Sequence, residues 1–277
     1  VRQRTGAGIT DCKNALEEAS GDLDQAIEIL RKKGIAKADK RSGRTASEGR
    51  IVSAFSPDQK TAALLELNSE TDFVSRNADF GAAADALAQR LLVHGALNDV
   101  VREPASDAFA QNVQDDVKAI SAKTGEHVVL RRHARFTTDG ALGSYVHHIP
   151  KVAALVEIGG SSSEAAQSLA RSVAEHLAAG VPAVAVSVTR DDVSADLVAR
   201  ERRIFEEQAK ASGKPDNIVQ KMVDGRIAKF YGEVALVEQP WVRDPTRTIQ
   251  SLIDEQSKAC GANLTIRRFV RFQIDED

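Results

Sequence analysis

The sequence predicts an α+β protein: a small helical module at the amino terminus, then two related units of strand and helix, the second enlarged by a helical hairpin. Three observations carry this prediction. Apolar residues recur at helical spacing through the first 34 residues. A set of strand and helix segments then occurs twice in the same order. The second copy is interrupted by two charged helical stretches joined by "SGKPD".

In "TDCKNALEEASG", Cys12, Ala15, Leu16 and Ala19 share one helical face, with Thr10 or Asp11 available as the N-cap. In "GDLDQAIEILRKKG", Leu23, Ala26, Ile27 and Leu30 repeat the spacing. Asp22 with Gln25 forms a capping-box pattern, and Arg31, Lys32 and Lys33 before Gly34 suit a helix end. The chain opens on Val1 in mid-pattern, without an initiator Met, so a short leading segment is expected to be missing and a first helix incomplete. Residues 35–49 are small, polar and basic, and read as a solvated connector or a helix tail.

The repeat begins beyond this connector. "AALLELN" from Ala62 is answered by "AALVEIG" from Ala153, each after an alternating segment, "EGRIVSAF" or "LGSYVHHI". Alanine-rich helices follow both strands, and both units close on similar strands, "EHVVLRRHARF" and "NLTIRRFVRF". The second copy is longer, and its surplus coincides with residues 193–232, read as an antiparallel helical hairpin. The expected divisions are 1–45, 46–140 and 141–277, the last containing the hairpin.

Composition excludes several functions. With 277 residues and 42% hydrophobic content the chain can bury one large core or two modest ones. A formal net charge of -3 argues against a chain devoted to coating nucleic acid or an anionic membrane. Residues 1–50 nevertheless carry 11 Lys and Arg against 8 Asp and Glu. No apolar run suits a membrane span, so a cytoplasmic location is expected. Cys12 and Cys260 stand far apart without a CxxC, and read as buried thiols rather than a disulfide or zinc site.

No catalytic constellation emerges. Phosphate-cradling glycine motifs, GxSxG, HExxH and calcium loops are missing from the sequence, and no cofactor is expected. His147 and His148 are adjacent; on a strand they would point to opposite faces, which disfavours a shared metal. His147 reads instead as a hydrogen-bonding surface or interface residue. The other unusual stretch is "ELNSETDFVSR", where Phe73 and Val74 interrupt polar sequence between a strand and a helix. Phe73 there either tucks into the core beneath a Thr71 or Asp72 cap, or points outward at a partner.

"VRQRTGAGITDCKNAL", "ELNSETDFVSR" and "GRIAKFYGEVALVEQPWV" resemble stretches of the translation elongation factor Ts family, in the family's order. That resemblance implies a ubiquitin-associated-like helical module followed by two core subdomains with antiparallel sheets. It also implies an exchange factor for the GTPase elongation factor Tu, with no catalytic chemistry or direct nucleotide binding of its own. Gly6, Ala7, Gly8, Ile9, Thr10 and Asp11 would contact the GTPase's nucleotide-binding domain. Thr71, Asp72, Phe73 and Val74 would disturb the surroundings of its Mg²⁺, and His147 would grip another part of it. Since the sequence stops at "FQIDED", the further carboxy-terminal helix of some longer members is expected to be missing. The hairpin is the expected surface should the chain form a homodimer. The alternative is a ribosome- or RNA-associated module using the basic segment 32–50, which would bind with steep salt dependence. The implied partner is thus a protein, with neither nucleic acid nor membrane.

Overall fold

The computed structural model describes residues 1–5, 7–95, 98–101, 105–211, 213 and 215–276, with the backbone alone at residues 35–37. The chain divides into two compact units, residues 1–137, 146–153 and 272–277 forming one and residues 138–145 and 154–271 the other.

The first unit opens with three helices, α1 (Arg2–Thr5), α2 (Ile9–Glu18) and α3 (Leu23–Asp39). Cys12, Ala15, Ala19, Ala26 and Leu30 form their small core, as the spacing predicts, whereas Leu23 is exposed. The expected caps of α2 are not used: Gly8 is the N-cap, and Thr10 and Asp11 lie inside the first turn. Asp22 does cap α3, its carboxylate accepting from the backbone N–H groups of Asp24 and Gln25. Nor does α3 stop at Gly34. It runs on to Asp39 because Gly34 is a packing position: a methyl there would lie 2.8 Å from Ala122 Cβ of a later helix. Tertiary contact thus overrides the glycine stop signal.

Next come β1 (Glu48–Phe55), β2 (Thr61–Ser69), the short α4 (Asp72–Ser75), α5 (Ala78–Val93), β3 (Val100–Val101), α6 (Ala108–Thr124) and β4 (Val129–Thr137). The sheet order is β1-β2-β4-β3 and every pairing is antiparallel. Because β2 is central and covered on both faces, it reads as a continuous apolar run rather than an alternation. Leu65, Leu67, Phe80, Leu87, Leu91, Phe109, Val113 and Leu130 build the core between the sheet and α5 and α6. Glu66, which alternates with Leu65 and Leu67 along β2, is fully buried and held 2.6 Å from Arg132 Nε, whose guanidinium also donates to the Gln273 carbonyl oxygen.

The second unit repeats this plan with β5 (Ala141–Val146), β6 (Val152–Gly159), α7 (Glu164–Ala179), α8 (Ala195–Lys210), α9 (Asp216–Val234), β7 (Pro240–Trp241), β8 (Asp244–Thr248), α10 (Ile249–Cys260) and β9 (Thr265–Gln273). The order β5-β6-β9 corresponds to β1-β2-β4, and Glu157 meets Arg268 at 2.6 Å where the first copy has Glu66 and Arg132. Val156, Ile158, Leu169, Val173, Leu252 and Ile253 form the core with α7 and α10. The hairpin is α8 and α9, zipped by Ala209, Val219, Val223 and Ile227 with Phe205 against them. It returns at the buried Ala235 and Leu236, where Val186 N–H donates to the Val234 carbonyl. Cys12 is buried as expected, but Cys260 is only half-buried at the edge of this core.

Candidate functional site

The stretch 70–77 turns the chain from β2 into α5. Its polar side chains are spent on holding the turn. Thr71 N–H donates to Glu126 Oε2 at 3.0 Å and Thr71 Oγ1 donates to Glu126 Oε1 at 2.5 Å. Thr71 therefore occupies the N-cap position of α4 without using its side chain as a cap. Glu70 Oε1 accepts from His127 N–H at 2.6 Å and from Arg44 at 3.3 Å, and the His127 Nδ1–H donates to the Arg44 carbonyl at 2.7 Å. The His127 amide, seconded by Arg44, holds the Glu70 carboxyl below its ordinary value despite some opposing desolvation. Ser69 Oγ donates to the Thr71 carbonyl oxygen, and Ser75 Oγ to that of Asp72.

On this braced corner the side chains divide. Val74 packs against the core, and Ser75 is buried. Phe73 is 85% exposed, which excludes the reading that tucks it inside. Asp72 lies beside it, paired with Arg76 at 3.2 Å across one turn. The Phe73 ring thus stands in water while the side chains around it hold the turn rather than cover it.

The other expected site residues lie apart from this corner in sequence. Ala7 is half-buried and Gly8, Ile9, Thr10 and Asp11 are exposed, Ile9 by 70%, while Gly6 lies outside the described residues. The Cys12 thiol reaches back to the Ala7 carbonyl at 3.6 Å, anchoring that loop. Gly8 and Asp11 line one side of a groove of about 450 Å³, with Lys123, Thr124 and Gly125 at the end of α6 on the other. The α6–β4 connection thus faces the amino-terminal loop at Gly125 and holds the phenylalanine corner at Glu126.

His147 is not on a strand. β5 ends at Val146, so His147 and His148 sit in the turn before β6, their rings 4.1 Å apart, and the opposite-face reasoning does not apply. His147 N–H donates to the Val152 carbonyl and its Nδ1 accepts from Ile149 N–H at 3.4 Å. Among the described residues no group of three or more His, Cys, Asp or Glu side chains is placed to hold a metal. Several cations of the basic segment have partners within the chain, Lys32 on Glu28, Lys33 on Glu18, Arg44 on Glu70, and Arg41 on the Ser121 carbonyl. These pairings reduce the charge open to a polyanion.

Similarity to known proteins decides the family. A family model described as elongation factor TS matches residues 70–276, from the corner almost to the end of the chain. The chain belongs to the elongation factor Ts family. Elongation factor Ts of Methylococcus capsulatus is 45% identical over 100% of this chain and 90% of its own length. That of Clostridium botulinum strain Alaska E43 is 41% identical over 100% and 91%, and that of Trichlorobacter lovleyi 39% over 100% and 90%. As an elongation factor Ts relative, the protein has its place in translation elongation. The model match takes in Thr71 to Val74, Glu126 and His147 but not the amino-terminal loop, which the full-length relatives do cover.

Sequence reading missed Glu126 and Glu70, because the corner's main partner lies 55 positions away. A signal was nevertheless present in the repeat. The link from β2 to α5 spans residues 70–77, whereas the equivalent link from β6 to α7 spans only 160–163. The excess corresponds to α4.

Proposed function

We propose that this chain is a guanine-nucleotide exchange factor for elongation factor Tu, acting in the cytoplasm without catalytic chemistry or a cofactor of its own. One observation carries the reading: Phe73 stands 85% exposed on a corner whose remaining groups are committed to holding it there. Mg²⁺ in a GTPase bridges phosphate oxygens in near-ideal octahedral geometry, so small displacements around it weaken nucleotide binding. A phenylalanine seated between two helices of the GTPase supplies such a displacement, and Asp72 brings negative charge towards the phosphates. The exposed loop from Ala7 to Asp11 and the turn at His147 are further contacts in this proposal. They would add affinity rather than displacement.

Turnover follows from linkage. A factor that weakens GDP binding is itself bound more weakly when GDP is present, by the same coupling free energy. Exchange therefore needs no covalent step.

Release of a fluorescent GDP analogue from elongation factor Tu tests the proposal. The chain is expected to accelerate release, and Phe73→Ala to lose about 2 kcal/mol of that effect, roughly 30-fold in rate, while remaining folded. Equal acceleration by both proteins would place the wedge elsewhere, and no acceleration by either would end the exchange-factor reading.

A further inference from the structure

The two copies of the repeat differ where the exposed phenylalanine stands, and the difference isolates what α4 is for. In the second copy the chain passes from β6 to α7 through residues 160–163, and the strand–helix plan forms without any equivalent of α4. Gly160 there has φ +96°, and its α-carbon packs so closely on the Asn263 carbonyl oxygen that no side chain fits. The corner thus closes by backbone contact alone. In the first copy, side chains join the longer corner to the matching segment before β4. Glu126 takes two hydrogen bonds from Thr71, and Glu70 takes one from His127.

We infer that Glu126 is a positioning residue, which fixes the direction in which Phe73 is presented and so sets the rate of nucleotide exchange. This inference rests on the exchange reading above. Both carboxylate oxygens are engaged by one residue, so Thr71 is held in position and in orientation, two residues from Phe73. Glu126 is itself fixed: Ser121 Oγ donates to its carbonyl oxygen, and Gly125 ends α6 just before it. The strand–helix plan itself does not require the arrangement, since the second copy forms without it. A hydrogen-bonded clamp on an apolar projection is instead what a preorganised interface anchor needs, because ordering the anchor on binding would cost affinity.

The experiment is a double-mutant cycle on GDP release from elongation factor Tu, paired with amide hydrogen exchange on the free protein. Glu126→Ala is expected to slow stimulated release about tenfold, and Glu126→Gln, which keeps an acceptor for the Thr71 N–H, to restore most of the rate. In a Phe73→Ala background, Glu126→Ala is expected to cost less than about twofold, since it acts through the missing ring. The amides of residues 75–77, which bond to Thr71, Asp72 and Val74, are expected to lose protection in Glu126→Ala while those of β2 keep theirs. Full activity of Glu126→Ala, or an equal loss with and without Phe73, overturns the inference. Should the wild type fail to stimulate release, the exchange reading falls. The amide measurement then decides separately whether Glu126 holds the corner, and unchanged protection there overturns that too.

Discussion

At the scale of single residues, the buried His176 shows a polar side chain held inside by partners on both ring nitrogens. His176 is 1% exposed; its Nε2–H donates to Gln239 Oε1 at 2.9 Å and its Nδ1 accepts from Val242 N–H at 3.2 Å. Acceptance at Nδ1 requires the neutral ring, and burial pushes its pKa below 6.5, outweighing the Gln239 bond. His133, buried against Asp107 and close to His94, is lowered for the same first reason. The unfolded chain therefore takes up these protons first as pH falls below about 6.5, so stability is full above that value and is lost as pH falls through the folded values. The urea midpoint is expected to drop between about pH 7.5 and about pH 5.5, with NMR showing a neutral His176 ring at about pH 6.5. A His176 half-protonated at that pH would contradict the assignment. Phe73 belongs to the same scale, as an aromatic ring left 85% exposed on a turn that its neighbours hold.

At the scale of elements, α3 is the instructive case. A glycine after three cations reads as a helix end, yet the helix continues and Gly34 becomes the contact point with α6. Lys118 pairs with Asp39 at 2.8 Å, and Arg41 reaches the Ser121 carbonyl, so the helical module is fastened along α6 rather than tethered by a loose connector. Helix propensity alone would make Gly34→Ala stabilising by about 1 kcal/mol. The added methyl meets Ala122 Cβ at 2.8 Å, and neither group can move without shifting backbone. A net loss of about 1 kcal/mol or more is expected, measured by chemical denaturation, and a gain in stability would show that the two helices are not in close contact. The turn at His147 teaches the same lesson. An alternating pattern continued past the true end of β5, and only the hydrogen bonds of the turn mark where pairing stops.

At the scale of the whole molecule, two copies of one strand–helix plan carry different additions: the short α4 in the first, the long hairpin in the second. The hairpin has its own apolar seam, so its two helices pack on each other without a sheet beneath them. We expect that replacing residues 194–232 with a short glycine linker leaves a folded protein that still stimulates GDP release to within about threefold, because Phe73 and its clamp are untouched. A folded deletion variant without exchange activity would assign the hairpin a direct part in exchange.

The sequence by itself determined the fold class, the duplication, the hairpin and the family, because helical spacing, strand runs and motif order are properties written along the chain. It also located the corner at Thr71 to Val74. Only the tertiary structure decided that Phe73 faces outward while Val74 faces the core, that Thr71 answers to Glu126, and that Gly34 is a packing surface instead of a stop. The physical reason is common to all three. Whether a side chain is buried, and which group satisfies its hydrogen bonds, depends on what distant parts of the chain bring against it.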